Sequence, residues 1–382
     1  MEYIKGYKIR IFPTKEQERK LWQHIGACRF IWNYMLNDQE ERYKNGDTCV
    51  TAYNLMGRLK PLKNDGEHDW LYKVSNRSLQ KVCNDLAYAY KRYFKGLARH
   101  PKFKSKKKTK PAYPISADYF YFKDDKFLNI EKVGKVKYKT DFQFDFGLDT
   151  KKYKNARVSY KNGKWFVSFA VAFESQEREL SDVSMGIDLG VKDLAIVEFN
   201  GEQITFHNIN KSKEVRLLEK ESRRLQRSIS RKYEQNKQGN TFIETNNIMK
   251  EKAKLRKIYA RLTNIRENYI HQITNSLVSM APKRVVMETL SISGMMKNRH
   301  LSKAVGDQNL FKFIRCMKYK CEWNGIEFVQ ADRFFPSSKL CSNCGCVKHD
   351  LKLKDRVYVC DDCGFVIDRD YNAAINLSRY VA

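Results

Sequence analysis

Four cysteines near the end of the sequence have the spacing of a metal site. They form two Cys-x-x-Cys pairs separated by 15 residues, and a glycine follows each pair: Cys341, Cys344, Cys360 and Cys363. Each pair places two thiolates on one tight turn, and zinc takes four such ligands in a tetrahedron. Because four protein ligands leave no open position for a substrate, the pattern predicts one structural Zn²⁺ in a zinc ribbon. Cys346 and His349 lack a paired spacing and are not predicted as ligands.

Acidic residues far apart in the sequence form a second candidate site. Asp188 interrupts the apolar run GIDLGVKDLAIV, and Glu288 ends the run RVVM. Asp368 and Asp370 precede a predicted helix. Each has an ordinary explanation, as a turn residue, a strand-end residue or a helix N-cap, and a cap explains one of the two aspartates fully.

Taken together in a basic protein, these acids favour a different chemistry. A carboxylate in an apolar run is costly to bury unless it is paired or bound to a metal. A strand aspartate, a strand-end glutamate and an aspartate at a helix start predict a cluster that holds two Mg²⁺ ions and hydrolyses phosphodiesters. The sequence contains no P-loop, no serine or thiol triad and no glycine-rich dinucleotide fingerprint that would compete with this interpretation.

The chain is strongly basic, with 73 Lys+Arg against 44 Asp+Glu and a formal net charge of +29. Such an excess favours nucleic acid as the partner, because neutralising phosphates releases counterions. No stretch approaches the roughly 18 apolar residues of a membrane span, so no membrane partner is expected. Five of the ten cysteines lie within 341–363 and the others are scattered, as in a reducing interior. We therefore expect a cytoplasmic protein, associated with the nucleoid of a prokaryotic host.

One segment, RHPKFKSKKKTKPAY (99–113), concentrates the positive charge. Its composition predicts a solvated loop between two prolines. A flexible linker or a localisation signal would have the same composition, but the charge of the whole chain favours contact with a nucleic-acid backbone. The candidate contacts are Lys102, Lys104, Lys106, Lys107 and Lys108.

The hydrophobic pattern predicts the elements that position these residues. In the first half it predicts a strand at 3–12, a helix opened by a capping box of Thr14 and Gln17, a second helix at 76–97, and strands over 119–174. Polar residues 174–184 predict a domain boundary. The second half is predicted to contain three consecutive strands, two helices within 211–280 with a turn at 233–242, a strand at 283–290, one helix that ends near Gly325, a strand at 326–332 and a last helix from about Asn372.

These motifs resemble, in this order, those of the TnpB family of transposon-encoded, RNA-guided DNA nucleases, relatives of the miniature type V CRISPR effectors. The matching stretches are GIDLGVKDLA, VVMETL, MMKNRHL, FFPSSKLCSNCG and DRDYNAAINL. The resemblance is specific over 184–382 and weaker over 1–183. It identifies the catalytic, Mg²⁺-binding acids as Asp188, Glu288 and Asp370, and leaves Asp368 as a structural neighbour.

The resemblance also implies an α+β fold with two domains. Residues 1–183 would form a wedge-like β-barrel with a helical recognition insert at about 15–100. Residues 184–382 would form a RuvC-like, ribonuclease H-type α/β nuclease domain with a helical insertion. The zinc ribbon would be a second insertion, at about 337–367.

The implied partners are a guide RNA derived from the transposon end and a double-stranded DNA target beside a short adjacent motif, with one copy of the protein on its RNA. Base pairing would read the target sequence, while the protein reads the adjacent motif. Gln80 matches a family position near that motif. Two alternatives remain: a guided DNA-binding repressor without cleavage, which the presence of all three acids disfavours, and an accessory transposase, for which no tyrosine in a His-hydrophobe-His context is found.

Overall fold

The structure is a computed structural model that describes residues 2–47, 50–140, 153–174, 178–352 and 354–381. It divides into two units, Met1–Glu174 and Ser175–Ala382. The second unit begins ahead of the predicted residue 184 because the connecting segment is bonded to it: Arg178 donates to the carbonyl of Val278, and the amide of Ser181 donates to the carbonyl of Ala281 at 2.8 Å.

The first unit opens with the predicted strand and helix. Strand β1 (Glu2–Phe12) ends at Pro13, and helix α1 (Lys15–Lys44) follows at once. The capping box is confirmed, since the Gln17 amide donates to Thr14 Oγ1 at 3.3 Å and the Thr14 amide donates to Gln17 Oε1 at 3.0 Å. These bonds satisfy backbone donors that the first turn leaves without partners.

Three further α-helices follow among the described residues of the first unit. They are α2 (Ala52–Gly57), α3 (Leu59–Lys63) and α4 (Asn76–Phe94). Helix α4 packs on α1, α2 packs on α4, and α3 packs on α2. Helix α4 stops slightly before the predicted residue 97 because Gly96 adopts a positive φ of 69°, a common way to end a helix. Leu79, Val82, Leu86 and Tyr90 of this helix are buried in the core of the unit, whereas Tyr93 near its end is exposed.

Seven strands of the first unit form one antiparallel sheet in the order β2-β6-β7-β1-β5-β4-β3. The strands that follow β1 are β2 (Ala112–Pro114), β3 (Phe120–Phe122), β4 (Phe127–Ile130), β5 (Gly134–Lys139), β6 (Tyr153–Lys161) and β7 (Lys164–Glu174). The rings of Phe120 on β3 and Tyr153 on β6 lie 5.5 Å apart although four strands lie between β3 and β6 in the sheet, so the sheet curls strongly. Among the described strands β2 and β3 remain edges, and closure into a barrel stays a prediction.

The second unit is built on a five-stranded sheet in the order β10-β9-β8-β13-β14. Its strands are β8 (Ser184–Leu189), β9 (Asp193–Phe199), β10 (Glu202–His207), β13 (Arg284–Met287) and β14 (Glu327–Gln330). The first three pair antiparallel, whereas β8, β13 and β14 run parallel. All five strands were predicted, and β8 in the centre is the strand that carries Asp188.

Helices surround this sheet and extend from it. Helices α5 (Lys213–Gln235) and α6 (Asn246–Ser279) match the two predicted over 211–280, and the short strands β11 (Lys237–Gln238) and β12 (Thr241–Phe242) form the turn between them. After α7 (Ile292–Lys297), the prediction of one helix ending near Gly325 is wrong. Helices α8 (Ser302–Gln308) and α9 (Leu310–Trp323) are separated by Asn309, whose φ of 57° is left-handed. Asparagine adopts that conformation more readily than most residues, and it ends α8.

The last part of the chain contains the cysteine segment and helix α10 (Arg369–Ser378). Strands β15 (Val357–Val359) and β16 (Val366–Asp368) pair antiparallel beside the cysteines, and the buried Tyr358 packs with Cys341 and Cys360. No helix among the described residues is long and apolar enough to cross a membrane.

Candidate active site and cysteine cluster

The sheet places Asp188 and Glu288 beside one another. Strands β8 and β13 run parallel with Ile187 opposite Met287. The next residues, Asp188 and Glu288, therefore lie at the same end of the sheet. Both side chains are half-buried. Asp188 and Glu288 lie a hundred positions apart in the sequence, so only the strand pairing brings the two acids together.

Helix α10 carries Asp370 to this end of the sheet, and Gly186 allows its close approach. A Cβ atom added to Gly186 would lie 2.0 Å from the carbonyl oxygen of Ala374 and 2.4 Å from the amide nitrogen of Ser378. Backbone therefore packs on backbone, which only glycine permits. In the motif Gly-x-Asp, Asp188 thus supplies one carboxylate, and Gly186 supplies the contact for helix α10, which carries the Asp370 carboxylate.

Asp368 and Asp370 have different roles at the start of α10. Asp368 is the N-cap, and its Oδ1 accepts the amides of Asp370 and Tyr371, each at 3.0 Å. The helix begins at Arg369 rather than near Asn372 as predicted, because this cap fixes its first turn. The capping explanation therefore applies to Asp368. Asp370 lies inside the first turn, and its carboxylate accepts hydrogen bonds from Arg369 instead of capping the helix.

The three acids interact electrostatically. The pKa of Asp188 lies well above its usual range, first because the packed helix and sheet remove it from water, and then because Glu288 and Asp370 place negative charge near it. Arg369 opposes this effect in part. Carboxylates that repel one another in this way form a set of oxygen donors that a divalent cation would stabilise.

Asp370 is held by arginines in this structure. Its Oδ1 accepts from Arg369 Nε at 2.9 Å and Nη2 at 2.7 Å, and its Oδ2 lies 3.5 Å from Arg356 Nη1. The acids Asp188, Glu288 and Asp370 accordingly share one site but do not form a tight ligand cluster among the described residues, where only the four cysteines do so. Neither arginine was predicted from the sequence.

Glu288 has a partner that the sequence analysis also missed. Ser337 is buried, and its hydroxyl donates to Glu288 Oε1. The Ser337 carbonyl accepts from Asn376 Nδ2 of α10 at 2.8 Å. Glu288 is thus connected through Ser337 to the helix that carries Asp370.

Two asparagines of α10 bind the segment that leads into the cysteines. Asn372 Nδ2 and Asn376 Nδ2 both donate to the Leu340 carbonyl at 2.7 Å, and Asn372 Oδ1 accepts the Ser342 amide at 3.0 Å. Both side chains are buried. Polar residues spaced four apart on an otherwise apolar helix face are the signal that would have identified them.

The four predicted cysteines form a compact cluster. Their Sγ atoms all lie within 4.8 Å of one another, with Cys341 and Cys363 at 3.7 Å and Cys344 and Cys360 at 3.5 Å. A backbone amide, that of Phe365, lowers the pKa of Cys363 to about 6, which favours the thiolate that binds metal. The donor set and its size fit a four-thiolate zinc ribbon.

The turns that hold these cysteines follow the expected geometry. In each turn the first cysteine's carbonyl accepts the amide of a glycine, Gly345 at 2.9 Å and Gly364 at 3.1 Å. Both glycines have positive φ, 82° and 70°. Each glycine therefore closes its turn in a left-handed conformation that other residues rarely adopt.

Gln80 lies on α4, half-buried, at the wall of a cleft of about 420 Å³. The other lining side chains are three lysines, one glutamate, an aromatic ring, an amide and three apolar residues: Lys60, Lys63, Lys132, Glu131, Tyr72, Asn76, Met56, Leu59 and Val74. Lys63 Nζ donates to Asn76 Oδ1 and lies 5.2 Å from the Tyr72 ring. Lysines, an aromatic face and amide groups are side chains of the kinds that contact nucleotides.

The lysine segment is more ordered than a solvated loop. Trp32 Nε1 donates to the Lys102 carbonyl at 3.0 Å, and Asn33 exchanges two hydrogen bonds with the backbone of Lys104. Lys104 lies over the Trp32 ring at 3.3 Å, and burial lowers its pKa to about 8. Lys102, Lys106, Lys107 and Lys108 are exposed, whereas Lys104 anchors the segment.

Comparison with known proteins identifies the family. Family models described as "Helix-turn-helix domain", "Probable transposase" and "Cas12f1-like, TNB domain" match residues 1–48, 155–299 and 311–377. The TnpB-like protein MJ0751 of Methanocaldococcus jannaschii is 30% identical over 195 residues, which cover 48% of this chain and 67% of that protein. The chain belongs to the TnpB family. Within this TnpB chain the three acids and four cysteines all lie inside matched segments, and Gln80 and the lysine segment lie outside them.

Other relatives match the chain along nearly its whole length. A Streptomyces pristinaespiralis protein named "Putative RNA-guided DNA endonuclease" is 28% identical over 378 residues, covering 99% of this TnpB chain and 89% of that protein. Among solved structures, a cryo-EM structure of a Cas12f1-sgRNA-target DNA complex matches with a TM-score of 0.38 and 15% identity, covering 98% of this chain and 99% of that one.

Proposed function

We propose that this protein is an RNA-guided DNA endonuclease that cuts at a site made of Asp188, Glu288 and Asp370. The observation that carries the proposal is the convergence of these three half-buried acids from β8, β13 and α10 in a chain with a net charge of +29. A family whose relatives are named as RNA-guided DNA endonucleases supports the same chemistry.

The strand order supports a RuvC-like, ribonuclease H-type domain. Three antiparallel strands are followed by two parallel ones on the other side of β8, and an acid sits on the central strand. A second acid follows the adjacent parallel strand, and the third comes from a helix packed on the sheet. In the first unit, the curled sheet with its helices supports the wedge-like barrel and recognition insert over 1–183.

The acids would hold two Mg²⁺ ions, because oxygen donors in mutual repulsion suit a hard divalent cation. When bound, the ions supply activation of the attacking water and stabilisation of the leaving oxygen in phosphodiester hydrolysis. Ser337 orients Glu288 by its hydrogen bond, and the N-cap Asp368 fixes the turn that presents Asp370. Arg356 and Arg369 neutralise Asp370 when no metal is bound.

The same proposal assigns the nucleic-acid contacts. A guide RNA derived from the transposon end would pair with the target strand, and one copy of the protein would hold this RNA. The ordered segment with exposed Lys102, Lys106, Lys107 and Lys108 would contact a phosphate backbone, and the order that Trp32 gives it lowers the entropy cost of binding. The cleft beside Gln80 would receive DNA bases of the motif adjacent to the target. The cysteine cluster would hold one structural Zn²⁺.

Two experiments test the proposal. First, protein purified from cells is examined for a discrete bound RNA by sequencing; recovery of random fragments alone would contradict RNA guidance. Second, the complex is incubated with matched target DNA and Mg²⁺, as the wild type, as Asp188→Ala and as the control Asp182→Ala, an exposed acid two residues before β8. We expect cleavage by the wild type and the control only. Tight guided binding without any cleavage would instead favour a repressor, and full cleavage by Asp188→Ala would overturn the site.

A further inference from the structure

An aromatic side chain close to the proposed active site is exposed to solvent. Phe334 is 84% exposed, in the loop of residues 331–337 that connects β14 to the cysteine segment. The next residue, Phe335, shows the ordinary behaviour of phenylalanine: its ring packs edge-on against Tyr380, with centroids 4.8 Å apart. Two adjacent phenylalanines therefore have different environments: Phe335 is half-buried against a core cluster, and Phe334 is in water.

The exposure of Phe334 is not the result of a loose loop. The Asp332 amide donates to the Tyr380 hydroxyl at 3.2 Å, and Asp332 Oδ1 accepts the Phe334 amide at 2.7 Å. The Phe335 amide donates to the Asp332 carbonyl at 3.1 Å. The loop is thus fixed on both sides of Phe334, and the fixed backbone directs the ring outward.

The same loop is fastened to the active site. Its first residue, Ala331, donates its amide to the Met287 carbonyl at 2.8 Å, immediately before Glu288. Its last residue, Ser337, donates to Glu288 itself. Phe334 lies between these two attachments, at the end of the sheet where β8 and β13 present their acids. An exposed ring is therefore held at a constant position relative to a proposed catalytic carboxylate.

We propose that Phe334 stacks on an unpaired base of the DNA strand beside the phosphodiester that is cut. Every base has a π-face, so one aromatic platform serves any sequence, as a guided nuclease requires. Arg333, exposed and 5.9 Å from the Phe334 ring, contacts the neighbouring phosphate. The occupant is a single strand, because bases in a duplex already stack on their neighbours. This inference rests on the proposed endonuclease function and specifies how that site holds its substrate.

The test scans the strand that is cut with one abasic nucleotide at a time. The guide-loaded complex in Mg²⁺ is given matched targets in which successive positions near the cut lack a base, and kcat/KM is measured for each. For the wild-type enzyme, kcat/KM is expected to fall roughly tenfold when the base is missing at one particular position. This factor corresponds to the loss of one base-aromatic stack. For Phe334→Ala, kcat/KM on intact DNA is expected to be lower by a similar factor, and removal of the base at that position should lower it no further. Phe334→Trp is expected to restore the wild-type kcat/KM and its loss when that base is missing.

A matched control separates stacking from general damage. Phe311 on α9 is also exposed, and Phe311→Ala is expected to keep the wild-type profile, including the sensitive abasic position. Stacking is measured separately by fluorescence quenching of 2-aminopurine placed at that position of the DNA, with Ca²⁺ replacing Mg²⁺. Quenching by the wild type and its loss in Phe334→Ala are expected.

The outcomes distinguish this inference from the function on which it rests. Wild-type cleavage with a flat abasic profile, or a sensitive position that persists in Phe334→Ala, overturns the stacking role and leaves the endonuclease standing. An unchanged rate and unchanged quenching in Phe334→Ala would likewise overturn the stacking role. Wild-type protein that neither cuts matched DNA nor quenches the probe overturns both proposals.

Discussion

The cysteine cluster and the acidic site are assembled in opposite ways. The four cysteines come from 23 consecutive positions, and two local turns with their own hydrogen bonds bring the sulfurs within 4.8 Å. The acids come from positions 188, 288 and 370, and they meet only because parallel strands pair and a helix packs on the sheet. One site is a property of a short segment, and the other is a property of the whole unit.

The two sites also differ in how their ligands behave without a metal. The cysteine sulfurs lie within hydrogen-bond distance in two pairs, Cys341 with Cys363 and Cys344 with Cys360. The acids repel one another, and Asp370 is paired with arginines instead. Local turns can therefore prearrange a metal site completely, whereas a charged site built from distant elements is prearranged only in part.

The largest loss of structure and activity is expected when the cysteine cluster is disrupted. Cys360→Ser removes one of the four proposed zinc ligands. Since a structural zinc contributes folding energy directly, we expect loss of the bound zinc and unfolding of the ribbon. Because Asn372 and Asn376 bind the segment that leads into the ribbon, cleavage should fall to background as well. Metal analysis of the purified protein should give one zinc for the wild type and none for the variant. Cys346→Ser is the control, and loss of zinc from it would contradict the assignment of the four ligands.

The distant site should be most sensitive where the helix meets the sheet. Gly186→Ala places a methyl group against the backbone of α10, which cannot move aside as a flexible side chain would. We expect a loss of about 3 kcal/mol in the free energy of unfolding, the upper part of the range for overpacking. Urea denaturation measures this loss. Gly6→Ala on β1, where the added methyl meets nothing within 4 Å, is the matched control and should change stability by less than about 1 kcal/mol.

The same contrast explains what the sequence predicted and what it did not. The cysteine turns, the capping box at Thr14 and the five strands of the second unit follow from local spacing, and each was predicted. The close approach at Gly186, the hydrogen bond from Ser337 to Glu288 and the arginines at Asp370 depend on tertiary packing between distant segments. No periodicity in one segment encodes them. The break at Asn309 was missed because asparagine in a helical pattern does not by itself signal a left-handed residue.

A neutral substitution should show that the acids repel one another. In Asp188→Asn the burial of a charge and its repulsion by Glu288 and Asp370 disappear, so the metal-free protein should gain about 1–2 kcal/mol of stability while cleavage is lost. The pKa of folded Asp188 is raised, so the wild type loses stability as pH rises from the ordinary aspartate value toward that raised pKa.

The stability gap between Asp188→Asn and the wild type should therefore be largest above the raised pKa and should close as pH falls through it. Thermal denaturation in the presence of a chelator, over a pH series, measures this gap. Addition of Mg²⁺ should stabilise the wild type and leave the variant unchanged. A variant that is less stable than the wild type at every pH would contradict the repulsion.

The smallest expected effect concerns the single hydrogen bond that orients Glu288. Ser337→Ala keeps the fold, because the Ser337 carbonyl still accepts from Asn376, but it frees the Glu288 carboxylate. One hydrogen bond to a charged group contributes roughly 1.5–3 kcal/mol, and part of this remains because Glu288 regains water. We expect the Mg²⁺ concentration for half-maximal cleavage to rise roughly fivefold, with little change at saturating Mg²⁺. Isothermal titration with Mg²⁺ should show the same weakening of Mg²⁺ binding without any cleavage.

Two variants are controls. Ser337→Thr, which retains the hydroxyl, should keep the wild-type Mg²⁺ requirement, and Ser338→Ala should not alter it. Equal weakening in all three variants would mean that the loop as a whole, and not this hydroxyl, positions Glu288.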